Sequence, residues 1–149
     1  MPTVASGQRA AASLFTRRGC RIRRAATQTL NNATLTTISY DTEDEDTDAL
    51  FPSSGTTITI PFAGMWIPVL VLSIPIAGGT RNFASINISG GGTGIPPILR
   101  ESFDAGESIV TVTAQLPLAA NATITTDAFQ NSGSNTTMTA FFCCYRTGV

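Results

Sequence analysis

The chain has 149 residues, of which 42% are hydrophobic, so it is long enough for one domain with a sizeable core. Only 13% of its residues are charged, the formal net charge is −1, every cation is an arginine, and histidine is absent. This composition excludes a histidine-based catalytic triad and a histidine-ligated metal site. The cysteines are odd in number, and Cys20, Cys143 and Cys144 lack Cys-x-x-Cys spacing, which indicates reduced thiols in a reducing compartment.

The first 30 residues form a basic block, which we interpret as an extended N-terminal arm ahead of a domain spanning residues 31–149. The block contains no acidic residue. Such a block is typical of an arm that docks on an acidic surface. We expect a protein surface rather than nucleic acid, because interleaved aromatic residues are lacking and the net charge of the chain is negative. The arginines predicted to bind the partner are Arg9, Arg17, Arg18, Arg21, Arg23 and Arg24.

An acidic segment follows the first strand predicted inside the domain, which spans residues 33–40. The spacing of Asp44, Asp46 and Asp48 resembles the start of a helix–loop–helix calcium loop, but Ala49 stands where that loop needs glycine and Gly55 where it needs glutamate. We therefore assign no metal site. Charge complementarity favours an acidic loop that accepts the arginines of a neighbouring subunit. A looser calcium site and a solvated loop remain the alternatives. The predicted acidic loop consists of Asp41, Glu43, Asp44, Glu45, Asp46 and Asp48.

The most informative stretch is residues 56–74, which predicts two strands joined by a corner at Pro61–Gly64. In the first strand Ile58, Ile60 and Phe62 share one face, whereas the second strand is apolar on both faces. The last predicted strand, residues 136–146, is also largely apolar on both faces. A strand with two apolar faces must cover both of them. Either both faces are covered inside its own domain, or one face packs against a neighbouring subunit. The residues assigned to a trimer seam or core are Met65, Trp66, Ile67, Val69, Val71, Phe141, Phe142 and Tyr145.

The remaining segments also alternate with a period of two residues. Strands are predicted over residues 81–89, 98–103, 108–118 and 122–129, separated by turns rich in glycine, proline and asparagine. No helical period is convincing after residue 30, so about eight strands indicate an all-β antiparallel jelly-roll sandwich. The apolar run of residues 62–77 is too short for a membrane-spanning helix and is broken by Pro68 and Pro75, so no membrane span is expected.

Several motifs resemble the jelly rolls of tumour necrosis factor and complement globular heads. The corner Pro61-x-x-Gly64-x-Trp66 is similar to that family's strand-to-strand corner, and residues 104–109 and 138–142 resemble the beginning of its penultimate strand and its last strand. The opening of the domain, from Asn32 to Glu43, resembles versions found in tailed-bacteriophage structural proteins. The resemblance covers residues 31–147, although Glu107 replaces the family's usual aspartate and no collagen-like stalk precedes the domain.

The resemblance implies a homotrimer, with the basic arm attaching it to capsid or tail proteins of the same virion. The function expected first is therefore a virion structural protein, a trimeric decoration (cement) protein of a bacteriophage capsid, assembled in the host cytoplasm. The alternative is a minor tail or fibre-associated protein that binds a host receptor or glycan through its loops at residues 90–97 and 130–135. Neither an enzyme nor a cofactor is expected, because histidine, lysine and a paired-carboxylate spacing are absent.

Overall fold

The computed structural model describes residues 18–75, 81–92, 94–103 and 109–147, and within these ranges the chain contains β-strands and no helix. The described residues accordingly include no helix that could cross a membrane. The strands are β1 (Gly19–Leu30), β2 (Thr36–Thr37), β3 (Thr42–Asp46), β4 (Ile58–Thr59), β5 (Gly64–Ser73), β6 (Asn82–Ser89), β7 (Ile98–Phe103), β8 (Ile109–Thr113), β9 (Leu116–Leu118), β10 (Thr123–Phe129) and β11 (Thr136–Thr147).

These strands form two antiparallel sheets. Sheet A has the order β3-β1-β11-β5-β8, and the short β9 also pairs with the beginning of β5. Sheet B has the order β2-β10-β6-β7, and β4 also pairs with β10. The predicted antiparallel jelly-roll sandwich is thereby confirmed. The strands outnumber the predicted eight partly because the alternating segment at residues 108–118 is interrupted at residues 114–115 and divides into β8 and β9.

The core lies between the two sheets and follows the alternation of the sequence. Sheet A contributes Trp66, Leu70 and Phe142, which are fully buried, and sheet B contributes Ile86 and Ile124 from its central strands. The prediction that Phe62 shares the buried face of Ile58 and Ile60 is wrong, since Phe62 is 46% exposed. The chain turns at this corner, where the carbonyl of Phe62 accepts a hydrogen bond from the indole Nε1 of Trp66 at 3.2 Å.

The domain begins earlier than the predicted boundary at residue 30. Residues 19–30 form β1, which pairs with β11 on one side and with β3 on the other. Its side chains alternate, with Cys20 and Ile22 completely buried and Arg21 and Arg23 exposed. Arg21 and Arg23, two of the arginines that suggest a separate arm, therefore occupy solvent-facing positions of a strand in the domain. Arg9 and Arg17 lie outside the described residues.

The acidic segment is also a strand rather than the predicted loop. Residues 42–46 form β3, an edge strand of sheet A, in which Glu45 faces Arg21 and Thr42 faces Arg23 across the β1–β3 ladder. Asp and Glu are depleted in strands because they rarely gain from packing there. Cross-strand pairing with arginines offsets the repulsion between these carboxylates.

Candidate oligomerisation face

The outward surface of sheet A is apolar across its two central strands. The register of β5 and β11 places Val71 opposite Phe141, Val69 opposite Cys143 and Ile67 opposite Tyr145. Each of these side chains is only partly buried, because it points away from the core. We call this surface the outer apolar face, and it consists of Met65, Ile67, Val69, Val71, Phe141, Cys143 and Tyr145.

The outer apolar face continues onto the edge of the sheet and contains two depressions. Ile109 of β8 stands next to Ser73 and is 63% exposed, and Met65 at the opposite end is 38% exposed. One depression of about 320 Å³ is lined by Val71, Ile109 and Phe141 among others. The second, of about 340 Å³, includes Ile67, Val69 and Tyr145. Arg23 and Arg24 also line the first depression, and Arg146 lines the second. A largely apolar surface with polar groups at its margin and recesses for side chains is typical of a protein–protein interface.

The residues assigned to a seam or core divide cleanly between the two sides of sheet A. Trp66 and Phe142 are fully buried between the sheets, so they are core residues. The other six lie on the outer apolar face, where no described residue of the chain forms a layer over them. Alternation identifies the two faces of each strand correctly, but the sequence does not reveal which face is covered by sheet B.

The predicted charge complementarity is present, but both partners belong to the same chain. Arg18 Nη1 lies 2.9 Å from Asp48 Oδ1, and Arg24 Nη1 lies 3.4 Å from Asp41 Oδ2. Asp44 accepts from Arg23 Nε at 3.1 Å and lies 3.9 Å from Arg21 Nε. These acids thus have arginine partners within their own chain, and a contact with a neighbouring subunit's arginines stays a prediction. Pairing within the chain is favoured because β1 and β3 are adjacent strands.

Two carboxylates of the acidic segment also hold backbone amides. Asp46 accepts from the amides of Leu50 and Phe51 at 3.0 and 2.8 Å, and from that of Asp48 at 3.3 Å. Asp41 accepts from the amides of Ala25 and Ala26 at 2.8 and 3.1 Å, where the β1–β11 register shifts. The hydrogen bond from Ala25 is the main cause that lowers the pKa of Asp41.

These contacts leave the acidic segment with a structural role. Within the described ranges, no group of three histidine, cysteine, aspartate or glutamate side chains is arranged to hold a metal ion. The cysteines offer no alternative reactive centre in the core. Cys20 and Cys144 are cross-strand neighbours and completely buried, and burial raises the pKa of both thiols well above the ordinary value. A thiol of this kind stays protonated and is a poor nucleophile.

Sheet B carries a cluster of two phenylalanines and two arginines that the sequence does not predict, with the buried Phe83 at its centre. The rings of Phe83 and Phe129, direct cross-strand partners in β6 and β10, are stacked with centroids 5.1 Å apart and planes inclined by 8°. The guanidinium carbon of Arg100 lies 4.0 Å from the centroid of Phe83, and that of Arg81 lies 6.0 Å from the centroid of Phe129. In the sequence, Phe83 and Phe129 occupy alternating positions that otherwise carry polar residues in two predicted strands. Their pairing depends on the register between distant strands, which the local sequence does not specify.

The architecture is similar to several solved structures. The globular domain of a zebrafish complement 1qA protein superposes with a TM-score of 0.65 at 16% identity, covering 88% of this chain and 98% of that one. Vertex protein P5 of phage PRD1 superposes with a TM-score of 0.61 at 9% identity, and the match covers 87% of this chain and 96% of that one. Murine APRIL gives 0.54 at 12% identity, covering 85% and 98%. These similarities show that the chain has the jelly-roll fold of the tumour necrosis factor and complement type.

No protein-family model matches the sequence, and no curated protein matches it. At identities of 16% and below, the similarities show the fold alone.

Proposed function

We propose that this chain is a virion structural protein that assembles as a homotrimer and decorates a bacteriophage capsid. The observation that carries the proposal is the outer apolar face, because the described residues form a complete core between the sheets without it. The jelly-roll fold supports a trimer through the family resemblance. The fold it shares with a phage vertex protein supports a place in a virion.

The contact with the capsid is assigned to the residues before β1. Arg18, Arg21, Arg23 and Arg24 already pair with carboxylates of the same chain, and Arg21 and Arg23 link β1 to Asp44 of β3. Arg9 and Arg17 remain in the segment ahead of the domain. The proposed arm is therefore shortened from residues 1–30 to residues 1–17, which precede sheet A and attach the protein to the capsid.

The alternative function, recognition of a host receptor or glycan, has less support in the loop at residues 130–135. Its amide side chains are occupied inside the chain: Gln130 Oε1 accepts from the amide of Ser132 at 2.7 Å, and Asn135 Oδ1 accepts from that of Asn32 at 2.9 Å. The side chain of Asn131 similarly accepts from the amide of Arg81. Groups held in this way stabilise the loop and are poorly available to a sugar.

The test is the mass of the purified protein by light scattering, which should equal three times the 15.6 kDa chain. Val69→Arg places a charge at the middle of the outer apolar face and should yield a folded monomer. Thr59→Arg, an exposed strand position on sheet B, is the matched control and should remain a trimer. A wild-type protein that stays monomeric at high concentration would contradict the proposed assembly.

The capsid contact is tested separately by co-sedimentation with capsids that lack this protein. Removal of residues 1–17 should preserve the trimer but abolish its binding to the particles. If the truncated trimer still co-sediments, attachment through the arm is wrong. If it binds host cells instead of capsids, the receptor function replaces decoration.

A further inference from the structure

The cluster on sheet B is a four-membered stack whose two ends are guanidinium groups. Phe129 and Arg100 both lie against a face of the Phe83 ring, and at 5.1 and 4.0 Å they must occupy opposite faces. Arg81 lies over Phe129 at 6.0 Å. We call this surface the arginine–phenylalanine stack, and it consists of Arg81, Phe83, Phe129 and Arg100.

Both arginines of the stack face solvent without an acidic partner in the described part of the chain. The ion pairs found there join carboxylates to arginines of β1 and to Arg18, and none involves Arg81 or Arg100. A guanidinium held against an aromatic face keeps N–H groups available to a ligand. These groups match a carboxylate in a bidentate pair, so Arg100, at 4.0 Å from the centroid of Phe83, presents a site for an anionic group, and Arg81 adds a second cation beside it.

A buried hydroxyl beside Arg100 adds a second, independent feature. Ser85 stands directly opposite Arg100 in the β6–β7 ladder and is 1% exposed, yet its Oγ has no hydrogen-bond partner among the described residues. Buried polar groups are normally hydrogen-bonded, and one left unsatisfied calls for a ligand, water or ion. Ser85 lies on the same side of β6 as Phe83, so its unsatisfied hydroxyl belongs to the side of sheet B that carries the stack.

The geometry distinguishes among anionic ligands. A sugar ring or a nucleotide base is usually held by stacking on an aromatic face, but both faces of Phe83 are already covered. Asp127, which stands opposite Ser85 on β10 and is held by Asn87 Nδ2 at 2.6 Å, repels a doubly charged phosphate more strongly than a single carboxylate. The same chain already pairs arginines of one strand with the carboxylate of Asp44 in an extended acidic segment. Carboxylates on an extended peptide therefore fit best.

We infer that the arginine–phenylalanine stack binds the carboxylates of an acidic peptide segment belonging to a partner protein. The surface lies on sheet B, on the opposite side of the sandwich from the outer apolar face, so oligomerisation through sheet A leaves it accessible. The inference goes beyond the proposed function and does not depend on it. Loss of peptide binding with an intact trimer would refute the stack alone, and a monomer that binds peptide would refute only the assembly.

The test is an NMR titration of the full-length, ¹⁵N-labelled protein with a hexaglutamate peptide. The amide resonances of residues 81–87 and 98–102 should shift saturably, and hexaglutamine should leave them unchanged. Arg100→Gln should weaken binding at least about tenfold, since it removes charge-assisted hydrogen bonds. Arg100→Lys should recover part of the affinity, because lysine keeps the charge but not the planar fork. Arg21→Gln, an exposed arginine of sheet A, is the charge-matched control and should bind as the wild type does.

Three outcomes would overturn the inference. Equal weakening by Arg100→Gln and Arg21→Gln would indicate attraction to the overall charge rather than a site. Shifts produced by inorganic phosphate but not by hexaglutamate would assign the stack to phosphate. Shifts produced by a uronic-acid oligosaccharide but not by hexaglutamate would show that the stack binds the carboxylates of a glycan and not those of a peptide.

Discussion

Asp46 illustrates how one side chain shapes the connection after an edge strand. Its two carboxylate oxygens accept hydrogen bonds from the amides of Asp48, Leu50 and Phe51 at the end of β3. Leu50 and Phe51 are thereby directed into the core, where they are 1% and 5% exposed. The acidic residues that suggest a solvated loop in the sequence thus include one that orders the following turn.

Replacing Asp46 by alanine should destabilise the domain by about 1–3 kcal/mol, because backbone donors lose a charged acceptor. Urea unfolding followed by tryptophan fluorescence measures this, since the single tryptophan lies in the core. Glu43→Ala, at an exposed position of the same strand, should change the free energy of unfolding by less than about 0.5 kcal/mol. Similar losses for both variants would show that strand charge, not amide capping, is responsible.

Asp41 makes a specific contribution to acid sensitivity. Its pKa is lower in the folded chain, chiefly through the amide of Ala25, so the ionised carboxylate stabilises the fold above the ordinary carboxyl pKa near 4. This contribution is lost as the pH falls through the lowered folded pKa. Asp41→Asn should therefore be less stable than the wild type at about pH 7, and the difference in melting temperature should shrink below about pH 4. A pH-independent difference would contradict the assignment.

At the scale of elements, β1 decides where the domain begins. It lies between β3 and β11, and it places Cys20, Ile22 and Leu30 in the core with no exposed surface. Burial of each large aliphatic side chain is worth about 1.5–3 kcal/mol. The strand therefore contributes a large share of a stability that is typically about 5–15 kcal/mol.

Two N-terminal truncations should behave differently for this reason. Removal of residues 1–17 should leave the melting temperature close to that of the full chain, since β1 stays complete. Removal of residues 1–30 should abolish cooperative unfolding, because β3 and β11 both lose their neighbour. Circular dichroism during heating distinguishes the two, and a cooperative transition in the shorter chain would show that β1 is dispensable.

Alternation predicts the strands that carry apolar residues, and it fails where charge conceals the pattern. The predicted segments at 81–89, 98–103 and 122–129 correspond to β6, β7 and β10, and Ala84, Ile86 and Ile88 of β6 lie in the core. The alternation of Cys20 and Ile22 with arginine is equally regular. The high density of arginine in the same segment nevertheless favours a solvated arm over a strand when only the sequence is considered. β3 has no local signal at all, since its stability comes from β1. The arginine–phenylalanine stack depends on the register that brings Phe83 to Phe129, which no local pattern specifies.

The outward surfaces of the two sheets differ in chemistry. Sheet A exposes aliphatic and aromatic side chains of β5 and β11, whereas sheet B exposes arginines and polar groups around a pair of phenylalanines. Apolar association is insensitive to ionic screening, whereas contacts between exposed charges weaken as the screening length falls.

Salt should therefore separate the two proposed interactions. Raising the ionic strength from about 0.1 to 1 M shortens the screening length from about 10 to 3 Å, which should weaken the binding of hexaglutamate. The trimer should persist under the same conditions. Light scattering and NMR titration on one sample follow both, and dissociation of the trimer by salt would indicate that charged contacts hold it.

The position of β11 also affects how the protein is made. This strand pairs with β1 on one side and β5 on the other, so the centre of sheet A consists of segments from both ends of the described chain. A ribosome delivers β1 and β5 long before β11, and until then neither strand has the neighbour that joins them. Until residues 136–147 have been made, the edges of β1 and β5 that face β11 consequently stay unpaired. Completion of sheet A has to wait for these residues, and we expect the unfinished polypeptide to be prone to aggregation until then.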